Sequence, residues 1–379
     1  MFEQAAKLRA DGGGPVHDLS LGNPSLEPPP RFKAALRELL DDDTAGRHRY
    51  MTNAGFPEVR SFVAQREASR FDLPIEAGDI TMTVGAAGGF NVLLRSMLAP
   101  GDEVLVPIPY FTEYDHYIAN AGGVLVGAAS KPDFSLDVDA VVAKLGAKTK
   151  ILVLNSPNNP SGAVYDDGQL DALAEALREA NAKRDVPIVV MEDSPYRDLM
   201  FDGSKAPSMM SRYEHCIHLT SHSKDLGLAG ERIGYIVLSP KIAGRELLAR
   251  ACSFSNRILG FVNAPAMMQR MLPKVLGQPD GRVDVDIYAR RCTTMAEGLR
   301  ELGFSVVEPK AGFFVFPGLP ESLRDEQGGD VALTERMQGQ RTIVVPGTAF
   351  GIPGHLRLSM AAPDEAVTGA LEAFRRVLG

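Results

Sequence analysis

Cys216-Ile-His-Leu-Thr-Ser221-His-Ser-Lys224-Asp-Leu-Gly-Leu-Ala-Gly230-Glu-Arg232-Ile-Gly234-Tyr-Ile-Val-Leu-Ser239 holds two apolar runs of strand length around a polar turn. Lys224 follows the first run, with the hydroxyls of Ser221 and Ser223 at −3 and −1 from it and Arg232 eight residues on. Strand ends of an open parallel sheet are where ligands bind. A lysine placed there, kept partly neutral by desolvation or nearby cations, is able to form a Schiff base. Hydroxyls and an arginine fork suit a phosphate.

On either side the same grammar repeats. ITMTV (80–84), EVLVP (103–107), GVLVG (123–127), KILVLN (150–155) and PIVVME (187–192) join CIHLTS (216–221) and RIGYIVLS (232–239) to make seven short apolar runs. Helical patterns such as 168–183 lie between several of them. Strands interleaved with helices require crossover connections, so the fold class is α/β, with a mostly parallel seven-stranded sheet covered on both faces. After about residue 275 a long helix (281–302) leads to FSVVEP, GFFVFPG, TIVVPG and HLRLSMA, and a last helix spans 363–378. This predicts a smaller α+β unit. Residues 56–70 read as an amphipathic helix with Val59, Phe62 and Val63 on one face. Residues 1–45 carry Gly12–Gly14, Pro28–Pro30 and a helix pattern at 31–40, too little for a core of their own. That segment is expected to pack with the C-terminal unit or across a subunit interface.

Composition narrows the classes. Hydrophobic residues make up 45 % and charged residues 23 % of 379, which suits a globular chain of about two domains. The net charge of −8 argues against nucleic acid as a partner. No apolar run is long enough to span a bilayer, and the start, MFEQAAKLRADGGG, lacks the apolar core of a signal peptide. Cys216, Cys252 and Cys292 fit neither a zinc site nor a disulfide framework, so a cytoplasmic location is expected. The seven scattered histidines suggest no metal site.

Four further strand ends carry chemistry-bearing residues. Thr83-Val-Gly85-Ala86-Ala87-Gly88-Gly89 stands between a strand and a helix, where small residues leave backbone N–H groups free for a phosphate. Pro109-Tyr-Phe111-Thr-Glu-Tyr114 follows EVLVP, and Asn155-Ser-Pro-Asn158-Asn159-Pro160-Ser-Gly162 follows KILVL. Glu192-Asp193-Ser-Pro-Tyr196 closes PIVVME; because side chains alternate along a strand, only one of the two acids faces a given side. Arg357 stands in His355-Leu-Arg357-Leu-Ser359, after the turn Pro346-Gly-Thr-Ala-Phe-Gly351.

Taken in order, with S-x-S-K and G-x-R-x-G around Lys224, these motifs resemble the class I/II aminotransferases, a branch of the fold-type I pyridoxal 5′-phosphate (PLP) enzymes. The likeness runs over nearly the whole chain. It implies the aspartate aminotransferase fold, with a large PLP-binding domain over 46–275, a small domain over 276–379 and the N-terminal segment 1–45. It also implies roles. Lys224 would hold the cofactor and act as acid and base. Gly85, Ala86 and Ala87, with Ser221, Ser223 and Arg232, would hold its phosphate. Phe111 would stack on the ring, with Tyr110 as the nearby competitor. Asp193 would pair with the ring nitrogen, in preference to Glu192, and Tyr196 and Asn159 with the ring hydroxyl. Arg357, with Gly22 and Asn159, would take the substrate carboxylate. Tyr50, in Arg49-Tyr50-Met-Thr-Asn-Ala-Gly55, would reach the phosphate of a neighbouring subunit, which implies a homodimer. The phosphate turn lacks a hydroxyl carried by some members, and Phe111 stands where others have Tyr or Trp.

The activity so implied is transfer of an amino group between an L-amino acid and a 2-oxo acid, with ping-pong kinetics. A C–S lyase or another Cα or Cβ reaction is the alternative on this scaffold. A non-catalytic PLP-binding regulator is more remote, because no helix-turn-helix precedes the first motif near residue 20. Substrate identity stays open. Arg47, Arg49 and Arg257 are candidates to read a distal carboxylate, while Phe254, Phe261, Phe313 and Phe314 fit an apolar pocket or a core.

Overall fold

The computed structural model describes residues 2–278, 281–324 and 328–379. Its strands are β1 (His17–Asp18), β2 (Ile80–Val84), β3 (Glu103–Ile108), β4 (Val124–Ala129), β5 (Thr149–Leu154), β6 (Val189–Asp193), β7 (Cys216–Ser221), β8 (Ile233–Leu238), β9 (Phe314–Val315), β10 (Thr342–Ile343), β11 (Val345–Pro346) and β12 (Leu356–Ser359). The seven apolar runs form one sheet in the order β2-β8-β7-β6-β5-β3-β4. All neighbours are parallel except those of β8, which runs antiparallel to both β7 and β2. The cause is the connection. The turn from Ser221 to Ile233 has no room for a crossover helix, so the chain reverses beside β7. The last run begins at Ile233, since Arg232 adopts a left-handed backbone (φ 52°) and ends the turn.

The central strands are buried on both faces. Along β5, Leu152 and Leu154 enter one hydrophobic core and Ile151 and Val153 the other. This is the period-two alternation expected of a covered sheet. The helix expected at 168–183 spans Asp167–Asn181, started by a capping box in which Asp166 and Gln169 satisfy each other's backbone N–H. The helix expected at 56–70 is Pro57–Phe71.

The C-terminal unit contains the three-stranded antiparallel sheet β11-β12-β9 and the helices Val285–Glu301 and Asp364–Leu378. Tyr288, Met295, Phe304, Phe313 and Phe374 fill its core. The N-terminal segment divides between the two halves. β1 pairs with β10 and Leu19 enters the C-terminal core, whereas helix Pro30–Leu40 buries Ala35 and Leu39 in the core shared with Met271, Leu272 and Val275. The polypeptide from Ser20 to Pro29 therefore passes between the halves, over the carboxyl edge of the large sheet.

Candidate active site

The topology collects the chemistry-bearing residues at one edge. β5, β6 and β7 end there in parallel, at Leu154, Asp193 and Ser221. β2 shares their direction and delivers the helix Gly85–Met97 at the same edge. Because β8 is antiparallel, it starts where the others stop, which puts Arg232 there too. The result is a cavity of about 820 Å³ between the large sheet, the N-terminal loop and the C-terminal unit. Gly22, Ala86, Ala87, Phe111, Asn159, Asp193, Tyr196, Ser221, Ser223, Lys224, Arg232 and Arg357 all line it.

At one end stands the amino end of helix Gly85–Met97, whose first N–H groups have no side-chain cap. Gly85 lies behind the lining residues, in a left-handed conformation (φ +67°). A Cβ there would lie 2.7 Å from Arg232 Nη2, so only glycine lets the guanidinium approach this turn. Bare N–H groups, an arginine and the Ser221 and Ser223 hydroxyls (3.2 Å apart) make an anion cradle.

Lys224 Nζ donates to the Gly22 carbonyl and stands 5.5 Å from the centre of the Phe313 ring. Burial, then the charges of Arg357 and Arg232, push its amine down to about 8. Asp193 faces the cavity from the end of β6. Its Oδ2 accepts the Tyr114 hydroxyl at 2.5 Å, while its Oδ1 is buried with no hydrogen-bond partner. Burial pushes this carboxyl up to about 6, against the Tyr114 hydrogen bond, which pulls it down. Glu192 faces the opposite side. It accepts from Ser208 Oγ and the Met209 N–H and contacts His218 Nδ1 at 3.0 Å.

Arg357 is buried from β12. Nη1 donates to Asn159 Oδ1 (3.1 Å), Nη2 donates to the Ser20 carbonyl, and Nε has no partner. Its guanidinium lies over Phe350 and Phe314, 4.7 and 5.0 Å from the ring centres. Asn159 is held in turn, its N–H donating to Asn155 Oδ1 at 2.7 Å, while Asn155 Nδ2 donates to the Asp193 carbonyl. Tyr196 is buried edge-on against Phe313 and Phe314. Phe111 stands edge-on to Tyr114, whereas Tyr110 turns outward to Asp115.

The model of the aminotransferase class I and II family matches residues 15–374. The chain belongs to that family. Aspartate/prephenate aminotransferase of Thermus thermophilus is 32 % identical over 99 % of this chain and 94 % of its own. Aspartate aminotransferase of Pyrococcus horikoshii is 27 % identical over the whole of this chain and 93 % of its own. Among solved structures, an aminotransferase from Eubacterium rectale superposes with a TM-score of 0.92 at 30 % identity, covering 99 % of this chain and 93 % of that one. Aspartate aminotransferase of Thermus thermophilus with maleate superposes with a TM-score of 0.88 at 31 % identity, covering 100 % and 95 %. The aspartate aminotransferase fold and the transferase class follow from these matches.

Of the residues expected to bind cofactor, two do not line this aminotransferase's cavity. Gly85 lies behind Arg232, and Tyr50 is 87 % exposed. Arg47 pairs with Asp42 and donates to the Leu39 carbonyl, Arg49 and Arg257 are exposed, and none of the three lines the cavity. Phe314 lines it; Phe313 packs in the core behind, Phe254 is exposed and Phe261 is half-buried. Sequence reasoning gave no role to Tyr114, Asn155 or Glu113, which also line the cavity. Tyr114 is three residues after Phe111, and its N–H donates to the Phe111 carbonyl across the turn that starts the helix; that spacing was the available signal.

Proposed function

We propose that this chain carries PLP on Lys224 and transfers amino groups between an L-amino acid and a 2-oxo acid. The observation that carries the reading is Asp193. A buried carboxylate with an unpartnered oxygen, on a residue that lines the cavity, is costly unless a cation meets it, and a protonated pyridine nitrogen is such a cation. The other parts fit the same molecule. The anion cradle at Ala86, Ala87 and Arg232 suits a phosphate, Phe111 offers a ring to stack against, and Lys224 offers an amine kept partly neutral.

When bound, the cofactor supplies an electron sink for a carbanion at the substrate Cα. The protein's part is positioning and proton transfer. Asp193 would hold a proton on the ring nitrogen. Arg357 would grip the α-carboxylate bidentately and so set which Cα bond stands perpendicular to the ring. Asn159 would steady that arginine, and Tyr196 would donate to the ring hydroxyl. Lys224 Nζ, once free, would take the Cα proton and give it up to the cofactor's C4′ within the same half-reaction, and would move a proton the opposite way in the other half-reaction.

A homodimer belongs to this reading. Tyr50 stands exposed, outside its own cavity, and Leu247, Phe254 and Ile258 are exposed along helix Arg245–Ile258. A second copy would cover such apolar side chains, and its cavity would receive Tyr50. Three buried free cysteines and no helix among the described residues long and apolar enough to cross a membrane fit a cytoplasmic enzyme.

The test is reconstitution with PLP, borohydride reduction and peptide mass spectrometry. A cofactor adduct on the peptide containing Lys224, and initial-rate plots of parallel lines with amino and oxo acid, are expected. No adduct, or ammonia release without an oxo-acid acceptor, would overturn it.

A further inference from the structure

Once Lys224, Arg232 and Arg357 have the partners proposed above, no lysine or arginine remains among the residues lining the cavity. A carboxylate does. Glu113 opens helix Glu113–Asn120, is half-buried and lines the cavity wall. Among the described residues its side chain accepts one hydrogen bond, from the Thr112 hydroxyl at 2.8 Å, and forms no ion pair. It lies close enough to Arg357 and Tyr196 for its charge to act on both. An acid at the start of a helix also favours the helix dipole, but that role does not require it to face the cavity.

We infer that Glu113 reads the distal end of the amino-acid substrate and favours side chains ending in a cation over those ending in a carboxylate. The inference rests on the aminotransferase reading and adds its substrate class. An α-carboxylate seated on Arg357 leaves the substrate's side chain in the same cavity, where the Glu113 carboxylate, without an ion-pair partner among the described residues, attracts an ammonium or guanidinium group. A second carboxylate meets like charge with no cation from this protomer to offset it. Several relatives are named for aspartate, a dicarboxylate, which on this inference is a poor donor for this chain.

The test uses the PLP-loaded enzyme with a fixed 2-oxo acid acceptor and four donors: L-lysine, L-ornithine, L-norleucine and L-glutamate. Norleucine matches lysine in length without the charge. kcat/KM for lysine or ornithine is expected to exceed that for norleucine at least tenfold, with glutamate lowest. In Glu113→Gln the cation-to-norleucine ratio should fall tenfold or more, carried by KM. Glutamate as the best donor, or a smaller fall in that ratio, overturns the inference while leaving transamination intact. If no donor reacts, the aminotransferase reading fails, and Glu113 is read separately by calorimetry of 6-aminohexanoate against hexanoate. A tenfold preference for the ammonium ligand that disappears in Glu113→Gln supports the inference, and equal affinities sink it.

Discussion

The Tyr114 hydroxyl donates a 2.5 Å hydrogen bond to Asp193 Oδ2, and both side chains are buried. The bond leaves Oδ1 as the oxygen without a hydrogen-bond partner. It fixes the plane of the carboxylate and lowers the cost of its charge. Tyr114 is thus a positioning residue acting through Asp193. Tyr114→Phe should let the Asp193 pKa climb further. A hydrogen bond to a charged group contributes about 1.5–3 kcal/mol, so PLP affinity should fall by about tenfold or more. Titration of apoprotein with PLP, followed by visible absorbance, reads this, and an unchanged dissociation constant would show that the bond does not bear on the cofactor.

Asp193 makes a second expectation, for the protein without cofactor. Its carboxyl is pushed up to about 6 by burial, against an ordinary value of 3.8. The folded state therefore holds a proton that the unfolded state has released between those two pH values. The contribution of Asp193 to stability is full below pH 3.8 and declines as pH rises through 6, by up to about 3 kcal/mol at 1.36 kcal/mol per unit. Apo Asp193→Asn should lack this decline. Denaturant midpoints of the two proteins from pH 4.5 to 7.5 provide the comparison, and parallel profiles would refute the assignment.

Arg357 holds Asn159 and the Ser20 carbonyl with its two terminal nitrogens while its guanidinium lies over the Phe314 and Phe350 rings. Lysine keeps the charge and loses the planar fork. Arg357→Lys should therefore raise KM for every amino acid tested by about tenfold or more, the value of one charge-assisted hydrogen bond, without altering the yield of borohydride adduct at Lys224. Equal KM values in variant and parent would move the carboxylate site elsewhere.

The large sheet was legible because its signals are local. β2 through β8 each announce themselves by apolar content, and the site motifs sit at their carboxyl ends. What was not legible depends on contacts distant in sequence. Helix Phe2–Ala10 has little amphipathic pattern, and the packing of Pro30–Leu40 on the helix Ala266–Val275 joins residues more than two hundred apart. Tyr114 and Glu113 are one helix start read two ways: one side chain turns into the core toward Asp193 and its neighbour toward the cavity. Only the three-dimensional placement of β6 and β12 separates them. The antiparallel β8 could have been anticipated, since eleven residues between β7 and β8 leave no space for a crossover helix.

Behind the sheet, on the side away from the cavity, Glu67 receives two hydrogen bonds from Arg197, at 2.6 and 2.8 Å, and one from the Tyr235 hydroxyl. Arg197 Nη1 also donates to His218 Nε2, which leaves His218 Nδ1–H to donate to Glu192. This assigns His218 as neutral, in keeping with burial and Arg197 lowering its pKa. The chain of contacts ties helix Pro57–Phe71 to the residues next to Asp193 and Tyr196, so it fixes the end of β6 from the rear. Burial alone would raise the Glu67 carboxyl, but Arg197 overrides it and holds the value near 2. A depressed carboxyl contributes stability above its ordinary value of 4.5, and that contribution is lost as pH falls toward 2. Breaking a buried pair by neutralising one partner costs about 3–5 kcal/mol. Glu67→Gln should therefore lower the unfolding free energy by that amount at pH 7, read as a lower denaturant midpoint, and flatten the acid limb of the stability profile. A variant with the parent's midpoint and the parent's acid limb would show that the network adds nothing to the fold.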